Sequence, residues 1–389
     1  MLAQRMARLG TETAFEVLAR AKALEAQGRD IIHLEIGEPD FPTPAHIVEA
    51  AYRALQEGYT HYTPSAGLAE VREGIARHAR QRLGIPVAAD QVVITPGAKP
   101  IIFYTILALA EEGSEVLYPD PGFPIYASVV TFCGATPVPL PLDPSRGYHL
   151  DLDDLERKLS PRTRLLILNS PHNPTGSALT AEELKAIADL LRRWEQVYVL
   201  SDEVYHAILY NGRYQSIASL PGMAERTIVL DGLSKTYAMT GWRLGWGIFP
   251  KTLVEPVVRL VINSVSCAPA FVQKAALAAL DGPQDSVQAM VAEFRARRDL
   301  IVAGLRALPG VVCPLPEGAF YAFPDIRGTG LTSRELERRA LEEAGVALLS
   351  GTAFGQYGEG FIRLSYANSR QNIARALERL EALLKRARR

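Results

Sequence analysis

The chain has 389 residues, 48% of them hydrophobic and 22% charged, enough for two or three folding units with large apolar cores. Its 42 Lys and Arg against 43 Asp and Glu leave a formal charge of −1, which argues against a nucleic-acid or membrane-surface binder. Three scattered cysteines without a CxxC pair exclude a disulfide scaffold and a structural zinc site, and neither a membrane span nor a signal-peptide core is present, so a cytoplasmic protein is expected.

An amphipathic stretch at 13–27 predicts an N-terminal helix. From about 45 to 280, β-rich runs at 91–95, 114–118, 164–169, 196–201, 227–231 and 246–249 alternate with helical stretches at 98–110, 124–132 and 181–194. The strands read as continuous apolar runs, the pattern of a mostly parallel sheet covered on both faces by helices. The expected fold is therefore α/β, with a large domain at 45–285. Beyond it, a helix at 285–308, short strands near 318–323 and 360–365 and a closing helix at 369–386 predict a smaller α+β domain over 286–389. Residues 1–44 are expected to form an N-terminal arm and part of that small domain.

Ligands of such sheets bind beyond the carboxyl ends of the strands, so the residues after each strand belong together. TPGAKP at 95–100 is either a plain strand-to-helix turn or an anion cradle whose backbone N–H groups face a phosphate. NSPHNPTG at 169–176 is a rigid turn that fixes the direction of the Asn173 amide. Asp202 follows an apolar strand and reads either as a helix cap or as a carboxylate awaiting a cation. Only eight of the 42 basic residues are lysines, which makes Lys99 and Lys235 conspicuous in their loops. The run GLSKTYAMTGWRLG at 232–245 sets Lys235 among small and apolar residues directly after a strand. Desolvation there lowers the amine's pKa and favours it as a nucleophile. Arg243, eight residues on, offers a guanidinium fork for a phosphate or carboxylate.

This last run resembles the pyridoxal-phosphate lysine signature of class I/II aminotransferases, the aspartate aminotransferase-like branch of fold-type I enzymes. GEPDFPTP at 37–44, HYTPSAG at 61–67, NPTG at 173–176, Asp202 with Tyr205, and RLSY at 363–366 match further landmarks in the same order, over about 30–385. The resemblance implies that Lys235 links covalently to pyridoxal 5'-phosphate and moves the substrate α-proton. Asp202 would pair with the pyridine nitrogen, Asn173 and Tyr205 would donate to the ring phenolate, and Phe123 would stack on the ring. Gly97, Ala98 and Lys99 would hold the phosphate with Arg243 as its cation, and Tyr62 would reach it from the second subunit of a homodimer. Arg363 would clamp the substrate α-carboxylate, assisted by Asn173 and the Gly37 backbone.

Three departures from the family pattern stand out, the last of them bearing on specificity. Gly232 stands where many relatives carry a phosphate-binding serine, leaving Ser234 to compensate. Phe123 replaces a larger tryptophan, and no second arginine for side-chain carboxylates is found. Lys99 either adds positive potential near the phosphate or points its free ammonium at a distal carboxylate, which would make glutamate and 2-oxoglutarate one substrate pair. The expected activity is ping-pong exchange of an amino group between an L-amino acid and a 2-oxo acid. A β-C–S lyase on the same scaffold and a non-catalytic cofactor-binding regulatory domain are the alternatives.

Overall fold

The computed structural model describes residues 2–387. Eight strands form one sheet: β1 Val92–Thr95, β2 Glu115–Asp120, β3 Thr136–Asp143, β4 His149–Leu150, β5 Thr163–Asn169, β6 Tyr198–Asp202, β7 Thr227–Gly232 and β8 Gly245–Ile248. Their order is β1-β8-β7-β6-β5-β2-β3-β4. The central neighbours from β7 through β3 run parallel, while β8 is antiparallel to both β1 and β7, and β4 is antiparallel to β3.

The apolar runs place alternate side chains on opposite faces, and helices cover both. Val116, Leu165, Ile167, Leu200, Ile228 and Leu230 share a core with the helices Lys99–Leu109, Ile125–Phe132 and Lys251–Ile262. Leu117, Leu166, Leu168 and Val199 point the other way, onto Leu184, Ile187 and Leu191 of the helix Ala181–Leu191.

The six strands expected from the sequence are all present, within about two residues at each end. β3 was not anticipated, and its sequence explains why. Pro137, Pro139 and Pro141 interrupt it at every second residue. Thr136 donates its N–H to Ser114 on the β2 side, so with period two the prolines direct their missing N–H groups away from β2. Among the described residues only β4 pairs on that side, at Leu142 and Asp143. Proline is tolerated there because no ladder bond is lost.

A smaller α+β unit follows. Ile362–Ser365 lies between Tyr321–Ala322 and Leu349–Ser350 in an antiparallel sheet, packed on the helices Asp285–Ala307 and Arg370–Ala387. Ile32–His33 pairs in parallel with Val346–Ala347, which ties the N-terminal segment to this unit. Among the described residues no helix is long and apolar enough to cross a membrane.

Candidate active site

Turns beyond the carboxyl ends of β1, β2, β5, β6 and β7, the segment entering the antiparallel β8, and Arg363 of the smaller unit surround one cavity of about 440 Å³. At one end β1 stops at Thr95, whose hydroxyl donates to the Gly97 carbonyl at 2.6 Å, and the helix Lys99–Leu109 begins just beyond. Gly97 has φ +84°, and a Cβ there would meet Arg243 Nη2 at 2.3 Å, so glycine lets the guanidinium lie against the turn. The first-turn amides of Ala98 and Lys99 have no intrahelical acceptor and, with Arg243 beside them, are suited to receive an anion. Arg243 donates to the Thr240 carbonyl at 2.8 Å and pairs with no carboxylate among the described residues. A Cβ on Gly232 would stand 3.0 Å from the Gly245 Cα and 3.1 Å from the Leu244 carbonyl. This close approach of β7 to β8 accounts for glycine at 232, while Ser234 lines the cavity beside it.

Lys235 sits in the short helix Leu233–Thr236 at the end of β7, its Nζ donating to the Gly37 carbonyl at 2.6 Å. The Gly37 carbonyl is therefore turned to the lysine, and Gly37 itself lines the cavity. Burial lowers the Lys235 pKa to about 8; Glu38 opposes the shift, and Arg363, Arg243 and Lys99 add to it. Asp202, at the end of β6, accepts from the Tyr126 hydroxyl at 2.7 Å. Burial raises its carboxyl to about 6, and the Tyr126 bond holds it down in part. Asn169 donates its side-chain amide to the Asp202 carbonyl at 3.1 Å and accepts at Oδ1 from the Asn173 backbone N–H at 2.9 Å, which locks the β5 turn to β6. Tyr205 shares a hydrogen bond of 2.7 Å with Tyr321, and burial pushes its phenol well above the ordinary range. Phe123 lines the cavity edge-on to Tyr126, ring centroids 5.8 Å apart.

Arg363, 4% exposed, lies between the rings of Tyr321 and Phe354, with its guanidinium carbon 4.6 and 4.8 Å from their centroids. Its Nη1 donates to Asn173 Oδ1 at 3.2 Å, its Nη2 donates to the Glu35 carbonyl, and its Nε has no partner. No carboxylate pairs with it among the described residues. A buried cation without a counter-ion is costly, so the arrangement is suited to receive an anion.

The Lys99 ammonium differs from expectation. It is not free but bound to Glu12, 5.5 Å from the Phe123 ring centroid. Tyr62 stands apart from the cavity on its own chain, 90% exposed.

Tyr126, Asn169, Tyr321 and Glu12 were not singled out from the sequence. Tyr126 carried a usable signal, lying three residues after Phe123 at the start of a helix beyond β2. Glu12 carried none, because nothing local relates it to a residue 87 positions away.

Comparison with known proteins agrees with this geometry. The family described as aminotransferase class I and II matches residues 29–380. An aromatic-amino-acid aminotransferase of Thermococcus litoralis is 42% identical, covering 92% of this chain and 93% of the relative. An aspartate aminotransferase of Pyrococcus horikoshii is 39% identical over 98% and 97%. The solved structure of Thermus thermophilus aspartate aminotransferase with maleate superposes with a TM-score of 0.94 at 35% identity, covering 98% of this chain and 99% of that one. With a buried unpaired arginine and a desolvated lysine facing one cavity, and with family similarity across nearly its whole length, the chain belongs to the class I and II aminotransferases, fold-type I enzymes that use pyridoxal phosphate.

Proposed function

We propose that this aminotransferase works through pyridoxal 5'-phosphate by ping-pong exchange, with glutamate and 2-oxoglutarate as one substrate pair. The observation that carries the reading is a single cavity lined by Lys235 with its lowered pKa, the buried carboxylate of Asp202 and the unpaired guanidinium of Arg363. The residues fit the cofactor. The Cβ-free turn at Gly97, the open amides of Ala98 and Lys99, Ser234 and Arg243 suit its phosphate, and Asp202 suits a protonated ring nitrogen. When bound, it supplies an electron sink for the electrons left at the substrate Cα.

The rest is done by the chain. Arg363 holds the α-carboxylate through two parallel N–H groups while Asn173 Oδ1 fixes the plane of its fork. Lys235 Nζ takes the proton from Cα, and burial keeps enough of this amine neutral near pH 7 to accept it. Tyr126 keeps Asp202 ionised against desolvation. Phe123, which lines the cavity, would stack on the cofactor ring, and Tyr205 and Asn173 would donate to its phenolate. On this reading residues 45–285 form the cofactor-binding domain, and 286–389 with the arm at 1–44 form the smaller one. A homodimer in which the exposed Tyr62 completes the neighbouring phosphate site belongs to the same proposal.

The names of the relatives, one acting on aromatic amino acids and one on aspartate, together with maleate in a related structure, support a site that takes both neutral and acidic side chains. The test is to follow 2-oxoglutarate formed from glutamate in the first half-reaction, then regeneration with phenylpyruvate or oxaloacetate. Pyruvate and ammonia released from cystathionine without any acceptor, with no glutamate half-reaction, would refute the proposal.

A further inference from the structure

Glu12 occupies an unusual place. Its carboxylate meets the Lys99 ammonium, and both line the cavity that contains Lys235 and Arg363. Its negative charge slightly opposes the lowering of the Arg363 pKa that burial causes. The side chains are 22% and 41% exposed, so solvent screens the pair and it can exchange partners. Glu12 is the N-cap of the helix Thr13–Glu25, just after a non-helical stretch anchored by the Gly10 N–H to Ser128 Oγ at 2.9 Å. Phe15, three residues on, lines the same cavity.

We propose that Glu12 is a built-in competitor for the distal carboxylate of the substrate, and that it sets the enzyme's preference between acidic and neutral amino acids. This rests on the aminotransferase reading of the site. With an apolar or aromatic side chain in the cavity, Glu12 keeps Lys99 neutralised, so no lone ammonium is buried against the ligand. With a dicarboxylate, two carboxylates meet one ammonium and repel, so Glu12 swings out and Lys99 takes the substrate instead. The chain thereby serves both substrate classes without a second arginine.

The experiment uses holoenzyme carrying Glu12→Gln, Glu12→Ala, Lys99→Ala and the Glu12→Gln/Lys99→Ala double change. Calorimetry measures binding of two unreactive probes, succinate and 3-phenylpropionate, beside kcat/KM for glutamate and phenylalanine. Glu12→Gln should tighten succinate by about fivefold and leave 3-phenylpropionate within about twofold, and the gain should vanish without Lys99. Glu12→Ala should shift the ratio in the same direction. Equal changes for both probes, or a succinate gain that persists in the Lys99→Ala background, would overturn the inference. Wild-type enzyme that transaminates normally while the Glu12 variants keep its probe affinities overturns this inference alone. Wild-type enzyme that moves no amino group from any amino acid overturns the proposed function itself.

Discussion

Replacing Arg363 by lysine retains a positive charge and removes the planar fork, which separates recognition of the α-carboxylate from mere charge balance. In the structure the fork is held by Asn173 Oδ1 at 3.2 Å, by the Glu35 carbonyl, and by rings whose centroids lie 4.6 and 4.8 Å from its carbon. An ammonium on a shorter reach keeps one donor toward a bound carboxylate and loses the second parallel bond. A hydrogen bond to a charged group contributes about 1.5–3 kcal/mol, so kcat/KM should fall about 10- to 150-fold. Every amino acid and every oxo acid carries the same carboxylate beside its reacting carbon, so both half-reactions should suffer alike, chiefly through KM. Cofactor affinity should stay near wild type, since the contacts of Arg363 are with Asn173, Glu35, Tyr321 and Phe354 and not with the phosphate turn. Rapid-mixing half-reactions with glutamate and 2-oxoglutarate, beside a cofactor titration, provide the measurement. A fall below about threefold in both directions, with only the melting temperature lowered, would mean that Arg363 serves the fold and that substrate carboxylates are held elsewhere.

Tyr126→Phe removes the 2.7 Å bond that keeps Asp202 ionised, so its carboxyl should titrate higher and kcat should drop by up to about tenfold, recovering as the pH is raised; an unchanged pH–rate profile would count against this role. Gly97→Ala places a Cβ against Arg243 and strains a residue at φ +84°, so equilibrium dialysis should show cofactor binding weakened by at least about tenfold; normal binding would remove the phosphate from this turn. In cofactor-free enzyme, capture of pyridoxal phosphate by Lys235 needs the neutral amine, whose fraction grows as pH rises through its lowered pKa of about 8. The borohydride-fixable rate should therefore climb to that pH and level off, whereas a rise continuing toward the ordinary lysine value of 10.5 would show that the amine is not desolvated.

Much of the cavity was legible because its residues follow strands. In a parallel sheet the carboxyl ends share one edge, so Gly97, Asn173, Asp202 and Lys235 come together once the strands are recognised, whatever the loops between them. Arg243 joins them for a related reason. It precedes β8, whose antiparallel direction brings its start to that same edge. Arg363 was identified from a short motif but not placed by periodicity, since it lies in the smaller sheet and reaches the cavity through Asn173, 190 residues away.

What the sequence determined by itself was a set of local properties. Apolar runs of strand length had to be buried on both faces, β-to-α alternation required crossovers, and a lysine set among small and apolar residues just beyond such a run was marked as a candidate for losing water. The partners of polar side chains were decided only by the folded chain. Tyr126 with Asp202, Tyr205 with Tyr321 and Lys99 with Glu12 are pairs separated by 76, 116 and 87 positions. Hydrogen bonds and ion pairs act over a few ångströms, so their partners are selected by packing, and residue order carries no record of that selection. The same limit explains why Lys99, conspicuous as a free cation in the sequence, turned out to be already answered by a carboxylate from the N-terminal segment.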